Sequence, residues 1–495
     1  MKWHLSSLGC LLRLTLPYFL LLFLTLTFSS ASAEILQVYP NPFDERLEFV
    51  KVRVNSSAYL TDGEGYVNFS SPGVYYAAKD TELFRKQYGI EAVPFGKRFA
   101  LSNSGEELRL YEDGRLIDVF DYTSIYRDEG LIYYRTEKGW DFRYEGWSNF
   151  SGVSDVVSGK IVATPADLYF SGEEVVMTSY ILTRCSFDFE RGVLLLDASP
   201  VGGLPESPCL EEFQNKGNFS VYFLSSPAYR NFHYKFAVID GSKVVITTEN
   251  WKWDKRGYVV VFESRKVAEY LKEVIRNDMQ FRIEPETALD YTWKGKPRVK
   301  LDGPRKSLKF AAEVKVFVLP DYNPVFDFMT SATKRLYIEA PYMDFEWFEG
   351  FEVENSDSPL LESILRAARS GADVVIVLSD SERNREVAEF LESIAEKEGL
   401  EIQVSLTDLK LHGKAVVADD RLLITSANLN KYGLKLNREV GIIINSKEAS
   451  DFVAEVIKKD ASGIVENGGT PLIPLIAFIA LVVAAHALLR GKKLP

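Results

Sequence analysis

The stretches NFHYKFAVID, residues 231–240, and LKLHGKAVVAD, residues 409–419, share one frame: a histidine, a lysine two residues on, and an aspartate five further. The chain holds four histidines in 495 residues. His4 and His486 lie in apolar terminal segments, so His233 and His412 are the two left for the rest of the molecule. The context repeats as well. VVITTENW places Thr248 and Asn250 after the first stretch, and LLITSANLN places Ser426 and Asn428 after the second.

Working outward, short apolar runs alternate with segments of helical period. EVVMTSYIL, GVLLLDA and VYFLS lead into the first motif, and SRKVAEYLKEVIRND closes it. KRLYIEAPYM, PLLESILRAARSG, DVVIVLSD, REVAEFLESIAEKEG and LEIQVSL lead into the second, and EASDFVAEVIKK closes it. This order predicts an internally duplicated α/β domain, with lobes at residues 150–285 and 312–462 and a basic connector at 286–311. Upstream, residues 34–130 run as short alternating strands such as ERLEFVKVRV, GYVNF and EELRLY between Gly, Asn, Asp and Ser, which predicts a small all-β domain.

The chain ends predict location. Residues 1–33 have Lys2 and Arg13 before an apolar run and an Ala-Ser-Ala exit, as in a secretory signal peptide, with an uncleaved anchor as the alternative. Residues 471–489, PLIPLIAFIALVVAAHALL, carry no formal charge and are about long enough to span a bilayer. Arg490, Lys492 and Lys493 in the tail 490–495 would place that end in the cytoplasm. The expectation is a single-pass cell-membrane protein with its N-terminal domains outside the cell. In that compartment Cys185 and Cys209 could close a disulfide, and Asn55, Asn68, Asn149 and Asn218 lie in glycosylation sequons. No histidine or cysteine neighbours complete a metal-ligand set, and no cofactor is implied. The net charge of −12 argues against general polyanion binding.

The paired motifs carry the chemistry. Two histidines, two lysines, two hydroxyls and two asparagines around one pocket suit a phosphodiester: lysine and asparagine hold phosphoryl oxygens, one imidazole attacks phosphorus, and the other moves protons. HYKFAVID and HGKAVVAD, with their Thr/Ser-x-Asn followers, resemble the duplicated H-x-K-x4-D motifs of the phospholipase D superfamily. EILQVYPNPFDERLEFVKVRV and FALSNSGEELRLYEDGRLIDVFDY resemble the lamin-tail domain, an immunoglobulin-like β module.

The first resemblance implies two α/β/α lobes with the active site at their pseudo-twofold interface. It assigns catalytic roles to His233, Lys235, Asp240, Asn250, His412, Lys414, Asp419, Asn428 and Glu439, and substrate contacts to Thr248 and Ser426. Precedent makes His233 the nucleophile and His412 the general acid. Glu439, matching the family's orienting acid, has Gly257 as its counterpart in the first half, which keeps the reverse assignment open with His412 and Glu439 as a pair. The implied function is a membrane-anchored extracytoplasmic phosphodiesterase, metal-independent and nuclease-like. The alternatives are a phospholipase or phosphatidyl transferase acting on membrane lipid, and an inactive surface binding protein. Both half-sites lie in one chain, so a monomer is expected.

Overall fold

The computed structural model describes residues 32–283, 292–293, 306–348 and 358–462, apart from 138, 184, 185 and 206. The described residues divide into two compact units, one made of those up to Glu145 together with Phe348, the other holding the remainder.

The first unit is built from strands β1 (Glu34–Tyr39), β2 (Phe49–Val54), β3 (Ala58–Thr61), β4 (Tyr66–Phe69), β5 (Gly73–Ala78), β6 (Val93–Pro94), β7 (Glu107–Glu112), β8 (Arg115–Asp121), β9 (Leu131–Thr136) and β10 (Gly139–Tyr144). They form a six-stranded sheet, β10-β9-β1-β2-β5-β6, and a four-stranded sheet, β4-β3-β7-β8. Strands such as β4 bury every second residue, as the alternating sequence requires. The one α-helix described in this unit, α1 (Thr81–Tyr88), starts where the Asp80 side chain accepts from the Leu83 amide and seats Phe84 against Phe49. Asn55 and Asn68 here, and Asn149 and Asn218 in the second unit, are all exposed.

The second unit is organised by one 15-stranded mixed sheet. Its first half contains β11 (Val153–Ala163), β12 (Phe170–Ser179), β13 (Phe187–Asp197), β14 (Leu204–Pro205), helix α2 (Pro208–Lys216), β15 (Phe219–Leu224), β16 (Phe236–Ile239), β17 (Lys243–Thr247), β18 (Tyr258–Glu263), helix α3 (Arg265–Asp278) and β19 (Arg282–Ile283). The short β20 (Thr292–Trp293) pairs with β14. Its second half contains β21 (Lys306–Leu319), α4 (Val325–Thr330), β22 (Arg335–Ala340), α5 (Pro359–Arg369), β23 (Asp373–Ser379), α6 (Glu382–Glu398), β24 (Ile402–Thr407), β25 (Ala415–Ala418), β26 (Arg421–Thr425), β27 (Glu439–Asn445) and α7 (Lys447–Ala461).

Read outward from the middle of the sheet, one half runs β11-β18-β17-β16-β12-β13-β15 and the other β21-β27-β26-β25-β22-β23-β24. Seven strands of each half thus occupy matching places, and β19 adds an edge strand beside β15. The halves join where β11 and β21 pair antiparallel from Val153↔Val316 to Ala163↔Lys306. Gly159 sits in that seam, where a β-carbon would lie 2.7 Å from the Phe310 ring and 2.8 Å from the Val261 carbonyl.

The expected fold class is corrected on this point. The α/β reading, with two α/β/α lobes, a β domain and a transmembrane helix, gives way to a mostly β chain with 42% strand and 23% helix and a large mixed sheet. The reason is local. β22 and β23 are separated by helix α5, whereas only residues 180–186 separate β12 from β13, with no helix among those described. The long seam strands and the ten strands of the first unit add further β structure. In the second half α4, α5 and α6 still cover the sheet through Phe328, Ile364 and Leu391.

The expected location is corrected too. Among the described residues no helix is long and apolar enough to cross a membrane, which does not support a single-pass membrane protein with extracellular domains. The longest described helix, α6, has 17 residues and reads ERNREVAEFLESIAEKE, far too charged for hydrocarbon. The proposed signal peptide up to residue 31, the tail and the apolar stretch 471–489 lie outside the described residues, as does Cys185. Cys209 is buried in the first turn of α2.

Gly159→Val tests the seam. Overpacking against Phe310 should destabilise the second unit by about 1–3 kcal/mol, read as a lower urea midpoint for the whole of that unit.

Candidate active site at the junction of the two halves

Each motif histidine lies on an extended segment just before a short hairpin strand, β16 or β25. The motif aspartates make the hairpin tips. Asp240 and Asp419 both adopt left-handed backbone, at φ 49° and 53°. The Asp240 carboxylate accepts from the amides of Glu173 and Glu174 at 2.9 Å. The Asp419 carboxylate accepts from the amides of Thr333, Lys334 and Arg335. Both residues hold the turn to a neighbouring strand and set the register of their motif, away from the imidazoles.

Arginines pin the histidines across the junction. The His233 amide donates to the Arg438 carbonyl at 2.8 Å, and the His412 amide donates to the Arg256 carbonyl at 2.7 Å. Each guanidinium then grips the aspartate near the end of the other half's closing helix. Arg438 pairs with Asp278 of α3 at 2.9 Å, and Arg256 pairs with Asp460 of α7 at 2.5 Å. Arg438 also meets Asp321 at 2.9 Å, with all three side chains of that cluster inaccessible to solvent.

The carboxylate expected behind His412 serves the other histidine. Glu439 is fully buried, and its oxygens lie 2.8 and 3.0 Å from His233 Nδ1. Ser426 Oγ donates to it at 2.5 Å and Asn437 Nδ2 at 3.2 Å. Burial alone would raise the Glu439 pKa, but His233, Lys235 and the Ser426 hydroxyl hold it below the ordinary value. An ionised carboxylate can only accept, so Nδ1 of His233 carries the proton and Nε2 keeps its lone pair. Burial pushes the His233 pKa down to about 4 despite Glu439.

His412 has a neutral partner instead. Its Nδ1 lies 2.7 Å from the Thr248 carbonyl, again forcing the proton onto Nδ1. Burial first, then Lys414, Lys255 and Lys235, take its pKa well below 6.5. At the position matching Glu439, Gly257 leaves room that Glu249 fills: a β-carbon there would lie 2.8 Å from Glu249 Cγ. Glu249 hydrogen-bonds Thr164, and burial pushes its pKa up to about 7.

Lys235 and Lys414 are both buried and both reach back to their own histidine's carbonyl, at 2.5 and 3.1 Å. Burial lowers the pKa of Lys235 to about 7, and burial with repulsion from Lys235 lowers that of Lys414. The hydroxyls assigned to substrate lie beneath the site instead. Ser426 serves Glu439, and Thr248 Oγ1 accepts from the Tyr258 amide at 3.0 Å. Asn250 and Asn428 are half-buried.

Sequence reasoning missed Arg256, Arg438, Asp278 and Asp460, although each pair occupies matching places in the two halves: KRGYVVVF beside NREVGIII, and VIRND beside VIKKD. It also missed Tyr180, whose ring meets His233 edge-on at 4.5 Å, and Asp197, which accepts from the Phe232 amide at 2.5 Å. Trp251 and Trp253, just beyond Asn250, are core residues with 1% and 4% exposure. Replacing Arg438 with Met should strand two buried carboxylates and cost about 3–5 kcal/mol in urea denaturation, with His233 losing its fixed position.

Residues 325–461 match the family described as "Cardiolipin synthase, PLD-like domain". Cardiolipin synthases of Clostridium perfringens strains SM101 and 13 are each 30% identical, over 146 and 142 residues. Each match covers 28% of this chain, so the chain spans about a quarter, 27%, of the length of those relatives. Among solved structures, a phosphatidylserine synthase of Haemophilus influenzae Rd KW20 is 16% identical with a TM-score of 0.41, covering 60% of this chain and 81% of that one. Nuc of Salmonella typhimurium, a phospholipase D family member, is 19% identical with a TM-score of 0.25, covering 30% of this chain and 94% of its own. Residues 325–461, which hold the second motif, thus resemble a phospholipase D-like domain.

Proposed function

We propose that the chain cleaves phosphodiesters at the junction of its two halves through a phosphohistidine on His233. The observation that carries this reading is the bond between His233 Nδ1 and the buried carboxylate of Glu439. It fixes the tautomer that leaves Nε2 free to attack, and it stabilises the positive ring formed on attack. In the first step Nε2 of His233 bonds to phosphorus, the bond to the leaving oxygen breaks, and His412 supplies the proton. In the second, neutral His412 takes a proton from water, whose oxygen displaces the histidine. Lys235, Lys414, Asn250 and Asn428 are the residues that would hold the nonbridging oxygens, so the developing charge is met by ammonium and amide groups.

A second reading replaces water by an alcohol, making the reaction a phosphatidyl transfer. The family match and the curated relatives named cardiolipin synthase favour it over nuclease action. The lamin-tail identity of the first unit and the Cys185–Cys209 disulfide belong to the same proposal. Ten strands in two sheets support the former. The reading needs only one copy of the chain, because both motifs lie in it.

The purified chain should hydrolyse bis(p-nitrophenyl) phosphate in the presence of EDTA, and His233→Ala and His412→Ala should each lower kcat by at least about a thousandfold. A denaturing alkaline quench should trap phosphorus on the wild-type protein and on His412→Ala, but not on His233→Ala. Label retained by His233→Ala would reassign the nucleophile. The pH profile follows from burial and the neighbouring lysines, which hold the His412 pKa well below the ordinary imidazole value: kcat/KM for an alkyl diester should rise as pH falls below neutrality, because more of His412 then carries the acid proton while His233 stays neutral down to about 4. A fall instead would remove His412 as the acid.

A further inference from the structure

The two motif histidines differ in what lies against the ring. Met177 pairs with Ala237 as Ile338 pairs with Val416, so the residues three positions further on, Tyr180 and Pro341, occupy the same place in the two halves. Proline has neither an aromatic ring nor a hydroxyl, and Tyr180 uses both. Its ring stands at 69° to the His233 imidazole with centroids 4.5 Å apart, and Lys235 Nζ lies 5.6 Å from the centre of the same ring. Its hydroxyl oxygen accepts from the Val201 amide.

Val201 is the tip of a turn that is also tied to the His233 segment. Asp197 accepts from the Phe232 amide at 2.5 Å and from the Ser199 amide at 2.8 Å, and Asn231 Nδ2 donates to the Ser199 carbonyl at 3.3 Å. Buried Pro200 and Leu204 root the turn, and Gly202 and Gly203 let it close through left-handed backbone at φ 89° and 82°. The Val201 side chain is 86% exposed, so the tip is held by its hydrogen bond to Tyr180 and not by packing.

Attack through Nε2 needs the imidazole plane held as well as its proton placed. Glu439 places the proton, but a hydrogen bond bends at low cost. A perpendicular ring in contact is a harder stop, because tilting the imidazole drives it into Tyr180. Misplacing a reacting atom by about 1 Å costs on the order of a hundredfold in rate.

We propose that Tyr180 is a positioning residue with two separable parts: the ring holds the His233 imidazole for attack, and the hydroxyl holds the 199–203 turn as a wall that seats the substrate. This rests on the phosphohistidine reading above and adds to it a residue that acts only through its neighbours.

The full chain is compared as wild type, Tyr180→Phe and Tyr180→Leu, with circular dichroism checking that each is folded. Hydrogen exchange read by mass spectrometry should be faster in a peptide spanning Val201 for both variants, while the peptide spanning His233 is unchanged in Tyr180→Phe. On bis(p-nitrophenyl) phosphate, Tyr180→Phe should raise KM about fivefold, the worth of one hydrogen bond, and keep kcat within about twofold because the ring remains. Tyr180→Leu should raise KM similarly and also lower kcat by at least about tenfold. Equal losses of kcat in the two variants, or no loss in either, overturn the role of the ring. Unchanged exchange at Val201, or an unchanged KM in both variants, overturns the role of the hydroxyl. Turnover without phosphorus on His233 would sink the phosphohistidine reading, while the split between the two variants still decides Tyr180. If the wild-type chain does not turn over, that reading fails and takes the role of the ring with it, and exchange at Val201 decides the turn.

Discussion

Two arginines, Arg438 fully buried and Arg256 largely so, hold this site together. Arg438 and Arg256 each use the backbone carbonyl to fix a histidine of the opposite half and the guanidinium to fix an aspartate there. A buried arginine is costly to desolvate and becomes tolerable only when its carboxylate partners are in place. The geometry of the candidate site is therefore coupled to correct docking of the halves: if α3 or α7 is misplaced, the arginine loses its counterion and the histidine loses its anchor together. The comparison with known families covers residues 325–461, and these struts tie that segment to the rest of the second unit.

Duplication gave the molecule two copies of one frame, and divergence then gave them different electrostatics. The His233 side has an ionised carboxylate, a serine and an amide behind the ring. The His412 side has a carbonyl, a glycine and an additional lysine. Identical imidazoles placed in these settings do not have equal affinity for protons, which suits the proposed division into a nucleophile and a proton carrier.

Much of this was legible in the sequence. The order of strands and helices around each motif follows from periodicity, because each element buries one face, and the paired spacing located both His-Lys pairs. The service of Glu439 to His233 was not legible. Aligning the halves pairs Glu439 with Gly257 and leads naturally to assigning each to its own histidine, whereas the antiparallel seam crosses the strands so that β27 delivers its first residue to the other half's ring. The hydroxyls of Thr248 and Ser426 misled for a related reason: spacing shows that they lie near the site, not whether they point up to a ligand or down to the frame. The lean helical cover of the first half escaped notice because a run such as residues 180–186 says little about how the chain turns between two parallel strands.

The seam itself has a consequence for motion. Enzymes built from two lobes often close on their ligands by swinging about a flexible connection, and such a hinge needs a line along which few bonds must break. Here the line between the halves is an unbroken ladder from Val153 to Ala163 against β21, in the middle of a sheet that continues on both sides. Rotation there would tear the sheet. The two half-sites consequently travel as one rigid body, and any gating of substrate entry falls to the loops at the rim, on the timescale of loops.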